Sequence, residues 1–358
     1  MYISIPAKGD KMNNSLPVNP KSAVAAINDC LSSGLVCMLA GSPAIGKSDI
    51  MRSVAESNKL EYVDIRLAQS DPLDLVGLPI TTGTKMDFLP PAHFPIEGLD
   101  EVPKGKKGWL LALDEINSAP LGVMAAAYRL ILDREVGQHK LHSKVHIVVA
   151  GNLATDRAIV NRMGTAMQSR LVHLELEVSV DEWVDWALDN NIDTRVVAFL
   201  RFRPELLHKF DPNHSDKTFP APRTWGFVSK LITPWKQVGS EPHHLPLLAG
   251  AVGQGAALEF KGYIELLHDL PDPDMIVIDP LTTNVPTEPG TLYAVSGLIA
   301  DLATEGNLSN VMTYLNRIPS EFQLLSIRDI LKTKPKLGIH REIQQWKKKN
   351  AKALFGDD

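Results

Sequence analysis

The apolar run Leu35-Val36-Cys37-Met38-Leu39-Ala40 stops at Gly41-Ser42-Pro43-Ala44-Ile45-Gly46-Lys47-Ser48 and passes into Asp49-Ile50-Met51-Arg52-Ser53-Val54, which leaves this chain few folds to choose from. A short apolar run closed by glycine reads as a buried strand, and the segment opening on Lys-Ser-Asp reads as a helix. A loop between them aims backbone N–H groups and the positive end of the helix at one point, a cradle for anionic oxygens. The spacing G-x-x-x-x-G-K-[ST] adds Lys47 for the β- and γ-phosphates of a bound nucleotide and the Ser48 hydroxyl for Mg²⁺. The candidate binding residues are therefore Gly41, Ser42, Pro43, Ala44, Ile45, Gly46, Lys47, Ser48 and Asp49. A glycine-rich turn that joins strand to helix and binds nothing is the competing reading.

A second stretch constrains the chemistry. Trp109-Leu110-Leu111-Ala112-Leu113 drives into Asp114-Glu115, the form of a buried central strand that delivers two acids at its carboxyl edge, where open α/β sheets bind ligands. Asp114 is expected in the Mg²⁺ shell and Glu115 beside the attacking water. Lys144 to Ala150 reads as another strand, followed by Gly151-Asn152; an amide at Asn152 can hold the water and the γ-phosphate without competing for the metal. His139, His142 and His146 are read as alternating hairpin residues facing solvent rather than as zinc ligands.

The remaining pattern divides the chain. Residues 1–20 are polar and aperiodic and read as a surface arm; 21–178 form an α/β nucleotide-binding core with a Pro- and Gly-rich insertion at about 80–107; 179–268 read as an α-helical lid; 269–358 read as a linker and a helical module. Ser22 is expected to cap the first helix. Trp183, Val184, Trp186, Ala187 and Leu188 are expected on one apolar face. Leu245–Leu267 is expected as one helix, and Met275–Asp279 as a short strand-like run.

With 358 residues, 44% hydrophobic and 22% charged, the chain can bury a sizeable core. A net charge of −5 speaks against a surface that is basic overall, and the lysines at 347–349 read as a solvated helix face. Cys30 and Cys37, the two cysteines present, read as small buried hydrophobes rather than a disulfide framework. No run reaches the length of a membrane span, and the expected location is cytoplasmic with no membrane partner.

The ordered set of phosphate loop, Asp114-Glu115, Asn152, Arg170 and Arg223 resembles the AAA+ ATPases. Leu67-Ala68-Gln69 with Asp71-Pro72, then Asp74-Leu75-Val76-Gly77-Leu78-Pro79, together with Asp114-Glu115-Ile116-Asn117, is similar to the MoxR branch; Ser118 stands where that branch often has arginine. The resemblance covers residues 20 to about 265. It implies a P-loop parallel-sheet core with a helical lid and a mostly helical C-terminal extension. It also implies ATP and Mg²⁺ as cofactors, and a homo-oligomeric ring, a hexamer, that remodels a protein client in a chaperone-like way. In that family Asn152 matches the sensor-1 residue and Arg223 the sensor-2 arginine of the lid. Arg170 matches the finger that reaches a neighbour's ATP, with Arg162 as its rival. The resemblance further implies an adaptor with a von Willebrand A-type domain as partner. The alternative is a nucleic-acid motor or loader, with Lys104, Lys106 and Lys107 lining a basic pore.

Overall fold

The computed structural model describes residues 16–153, 156, 161, 163–213, 216–235, 237–267 and 270–350. They fall into two compact units, one within residues 16–179 with 211–213 and one within residues 180–210 with 216–350.

The first unit is built on strands too apolar to face water. Its elements are β1 (Pro17–Val18), α1 (Pro20–Ser32), β2 (Cys37–Ala40), α2 (Lys47–Ser57), β3 (Leu60–Arg66), α3 (Pro72–Val76), β4 (Leu78–Thr82), β5 (Lys85–Leu89), β6 (Gly108–Asp114), α4 (Leu121–Leu132), β7 (Glu135–Val136), β8 (His139–Lys140), β9 (Val145–Gly151), α5 (Thr165–Gln168) and β10 (Val172–Leu176). Six strands form one sheet in the order β1-β10-β2-β9-β6-β3, and every pair in it is parallel. β6 is buried along its whole length, as a central strand covered on both faces must be. One face packs on α1 and α2 through Ile27, Met51, Val54 and Leu39; the other packs on α4 through Leu111, Leu113, Val123 and Ala127.

Local expectations shift in several places. Asn19, not Ser22, caps α1: its Oδ1 accepts the Ser22 N–H at 2.8 Å, one turn earlier than the apolar spacing suggested. Pro17–Val18, assigned to the arm, pairs with Glu175–Leu176 at the sheet edge, a position that tolerates a proline without an N–H. Within the insertion β4 and β5 form a two-stranded antiparallel hairpin, while Phe94 and Ile96 return to the core at 2% and 3% exposure. His139, His142 and His146 are each half-buried rather than facing solvent; the His139 ring bonds Phe88 O at 2.7 Å, and His142 packs on the Trp109 ring.

The second unit is helical: α6 (Val180–Asp189), α7 (Thr194–Phe202), α8 (Pro222–Ile232), α9 (His244–Val252), α10 (Gln254–Leu266), α11 (Pro273–Ile278), α12 (Pro289–Leu302), α13 (Leu308–Leu315), α14 (Ser320–Thr333) and α15 (Arg341–Lys349). Phe199, Trp225 and Phe260, all nearly inaccessible, form the aromatic centre of its first half. The boundary expected at 268–269 falls inside this unit. Tyr263 of α10 donates its hydroxyl to Gly290 O of α12, and Arg201 of α7 is ion-paired with Asp329 of α14. Met275–Asp279 is not a strand: Asp272 caps α11 by accepting the Asp274 N–H, Pro273 occupies its first turn, and Ile276 packs against α13. The β-branched run carried the expectation; the cap and first-turn proline outweigh it. The expected helix at Leu245–Leu267 is interrupted at Gly253 (φ 84°), and Trp186 is 42% exposed while Trp183, Val184 and Ala187 are buried. No helix among the described residues is long and apolar enough to cross a membrane.

Candidate functional site

The sheet order places the phosphate loop. From β2 the chain crosses through α2 to the far edge at β3, returns through β6, and inserts β9 between β6 and β2, so the loop after β2 stands where strand order reverses. In open α/β sheets that crevice, at the carboxyl ends of the strands, is where ligands bind.

The loop turns through two left-handed residues, Ala44 (φ 63°) and Gly46 (φ 94°). Gly46 supplies that backbone at no steric cost, while the conformation strains an L-residue such as Ala44. Gly41 serves a different purpose, since a Cβ there would lie 2.6 Å from Ile45 Cδ1. Lys47 opens α2 at 8% exposure, and its Nζ donates to Gly41 O at 2.7 Å, Ser42 O at 2.9 Å and Asn152 Oδ1 at 3.2 Å. The next residue, Ser48, donates its hydroxyl to Asp114 Oδ2 at 2.7 Å. Asp114 Oδ1 accepts the N–H of Glu115, which has a left-handed backbone (φ 58°) at the point where the chain leaves β6. Three strand ends, β2, β6 and β9, thus bring Lys47, Ser48, Asp114 and Asn152 together as two hydrogen-bonded pairs, Lys47 with Asn152 and Ser48 with Asp114, held side by side at the start of α2. Behind them Tyr62 lies on β3 under the Arg52 guanidinium, 4.4 Å from the ring centroid. Burial, reinforced by Asp64, pushes the Tyr62 phenol above its usual range against the opposing pull of Arg52.

Of the two arginines, Arg170 stands apart from this group within the first unit. Arg170 is exposed, with Nη1 donating to Ala166 O at 2.9 Å. It precedes β10, whose Val172 is in register with Cys37 and whose Glu175 is in register with Ala40. Arg170 therefore sits at the amino edge of the sheet, roughly 10 Å of strand away from the carboxyl edge that bears Lys47. Arg223 is exposed in the first turn of α8 and belongs to the second unit. Arg162 lies outside the described residues.

Three residues near the group were not singled out for it by the sequence. Asn117 bonds the backbone of Asn152. Asp156, 8% exposed, accepts the Ser42 hydroxyl at 3.3 Å, and its other oxygen has no hydrogen-bond partner among the described residues. Arg66 is the register partner of Asp114 on β3. Only the pairing of β3 with β6 reveals Arg66, and nothing in the local pattern flags Asp156.

An all-parallel sheet in the order β1-β10-β2-β9-β6-β3, with a strand–glycine loop–helix unit at its switch point and an acidic neighbouring strand, has the architecture of a P-loop nucleotide-binding fold. No family model matches the sequence, and no curated protein matches it. Among solved structures the chain is similar to a candidate ATPase from Cytophaga hutchinsonii, with 14% identity, 87% of this chain and 81% of that one covered, and a TM-score of 0.36. It is also similar to a point mutant of RuvB from Thermotoga maritima, with 13% identity, 78% and 67% covered, and a TM-score of 0.32.

Proposed function

We propose that this chain is an ATP-hydrolysing AAA+ ring ATPase of the MoxR-like branch that remodels or assembles a protein client. The observation that carries this is the convergence of Lys47, Ser48, Asp114 and Asn152 on the loop, with Lys47 Nζ 3.2 Å from Asn152 Oδ1 and Ser48 Oγ 2.7 Å from Asp114 Oδ2. Phosphoryl transfer asks a protein for placement and charge neutralisation rather than covalent chemistry, and that is what this group can supply. Lys47 would exchange the carbonyls of Gly41 and Ser42 for phosphate oxygens. Glu115 would orient the attacking water, with the Asn152 amide holding it against the γ-phosphate.

The Ser48 hydroxyl and Asp114 carboxylate are two hard oxygen donors on adjacent elements, a set that suits Mg²⁺, which keeps most of its own water. When bound there, the ion would neutralise charge on the β- and γ-phosphates.

Arg170 cannot serve the pocket of its own chain from the opposite sheet edge, which supports its role as a finger for an adjacent copy in a ring, a hexamer in this reading. Such a residue supplied in trans raises phosphoryl-transfer rates by about 10³ to 10⁵. Arg223 is proposed as the sensor that reports the γ-phosphate to the helical unit. The hairpin β4–β5 exposes Leu78, Ile80, Met86 and Leu89, apolar side chains that suit contact with a protein client or with a von Willebrand A-type adaptor. The nucleic-acid alternative draws less support, because Lys106 is engaged by Glu61 at 3.3 Å and by Leu60 O.

The test pairs two variants. Glu115→Gln should bind ATP, turn it over scarcely, and hold the ring together. Mixed with Arg170→Ala protomers it should recover hydrolysis at shared interfaces, since each variant supplies what the other lacks. Full turnover by Glu115→Gln, or mixtures no more active than the sum of the two alone, refutes these assignments.

A further inference from the structure

Beyond Leu113 the ladder between β6 and β9 ends. The last registered pair is Leu113↔Val149, and Glu115 turns out of the sheet through its left-handed backbone. β9 nevertheless runs on to Gly151, still paired with Ala40 of β2 on its other side, and Asn152 follows. The missing partner on the β6 side is supplied by a side chain. Asn117, 6% exposed, donates Nδ2–H to Asn152 O at 2.6 Å and accepts Asn152 N–H on Oδ1 at 3.0 Å. A carboxamide can present an N–H donor and a C=O acceptor side by side in one plane, as Asn117 does toward Asn152, so Asn117 stands in for one more residue of strand.

Two further features are built around this clamp. A Cβ at Gly151 would lie 2.6 Å from Asn117 Oδ1 and 3.0 Å from its Cγ, so the amide approaches the backbone closely only because that position is glycine. The Asn117 carbonyl accepts the Asn161 N–H at 2.6 Å, and Asn161 Nδ2 donates to Ala119 O at 2.8 Å, which ties the chain after Asn152 to the same turn. The Asn152 side chain, held by its own backbone, is left to meet Lys47 Nζ at 3.2 Å and to donate to Ser118 Oγ at 3.5 Å.

We propose that Asn117 is the positioning residue for Asn152, fixing its backbone by a two-point amide clamp so that its side chain stays aligned with Lys47 at the reacting phosphate. The inference rests on the role given to Asn152 in the proposed function. Asn117 bonds no group assigned to phosphate or metal, so its loss should act on turnover and spare nucleotide binding. Removing such a supporting contact typically costs about tenfold to a hundredfold in activity.

The test uses the full-length protein with Mg·ATP and the variants Asn117→Ala, Asn152→Ala and the double. Asn117→Ala should lower kcat by about tenfold or more with nucleotide Kd within about twofold of wild type. The double should be no slower than Asn152→Ala alone, because the clamp acts only through that residue. An unchanged kcat in Asn117→Ala, or losses that multiply in the double, overturns the proposal. Asn117→Asp keeps the volume but turns an acceptor toward Asn152 O. It should match Asn117→Ala at neutral pH and regain activity relative to it as the carboxyl protonates; no such gain counts against the clamp.

Amide hydrogen exchange decides the geometry without any turnover. The Asn152 N–H should exchange faster in Asn117→Ala while Leu111 and Val148 stay protected, and an Asn152 amide that remains protected overturns the clamp. A wild-type protein that hydrolyses no nucleotide refutes the proposed function instead, and amide exchange still decides whether Asn117 holds the Asn152 backbone.

Discussion

Asp329→Ala is expected to destabilise the second unit by about 3–5 kcal/mol. Arg201 on α7 and Asp329 on α14 meet in a bidentate pair, Nη1 to Oδ2 at 2.6 Å and Nη2 to Oδ1 at 2.7 Å, with side-chain exposures of 7% and 1%. Removing the carboxylate leaves a guanidinium that cannot be discharged and has little access to water. The neighbouring pairs Arg328–Asp185 and Lys332–Asp189, both at 2.6 Å, join α14 to α6 in the same row but are more exposed, and each is worth about 0–1 kcal/mol. They cannot make good the loss.

For a unit of this size each kcal/mol moves the midpoint by about 2–4 °C, so a fall of roughly 6–20 °C is expected. Urea titration followed by tryptophan fluorescence suits the measurement, since Trp183, Trp186, Trp225, Trp235 and Trp346 lie in the second unit and only Trp109 in the first. Arg201→Met with Asp329→Leu should restore most of the stability, because an apolar pair of similar volume carries no desolvation cost. A loss below about 1 kcal/mol for Asp329→Ala, or a double variant as unstable as the single, would refute the argument that this pair joins α7 to α14.

Lys47→Ala should weaken nucleotide binding by about tenfold or more, the scale of a lost charged hydrogen bond; titration with a fluorescent nucleotide checks it, and unchanged affinity removes Lys47 from the phosphate site. Gly151→Ala should cost about 1–3 kcal/mol by overpacking against Asn117 and Met38, read from the denaturation midpoint. Burial pushes the Cys37 thiol up to about 12, so a thiol reagent at pH 8 should leave the folded protein unlabelled at Cys37 and label it on unfolding. The sign follows from linkage: the unfolded thiol ionises first, so its contribution to stability is whole below about pH 8.5 and declines from there toward pH 12.

What could be read from the chain alone was whatever is encoded within a few residues. The phosphate loop is a spacing motif whose function depends on consecutive backbone groups, and β6 with its two acids is an apolar run with a polar end. Both are local, and the structure has both, with Ser48 and Asp114 in contact across a separation of 66 residues. Pairing supplied the rest. Whether Pro17–Val18 belongs to an arm or a sheet depends on Glu175–Leu176 being there to receive it, and Met275–Ile278 is β-branched enough to suggest a strand until its cap and its packing on α13 make it a helix. Asn117 looked like one more residue after an acidic motif, because its function lies in the backbone of a residue 35 positions away. Arg201 and Asp329, 128 positions apart, carry no mark in sequence that they would meet. Turns and caps act over a few bonds and leave local patterns, whereas a ladder partner or a buried counter-ion is chosen by the packing of elements remote in the chain, and only the folded protein brings them together.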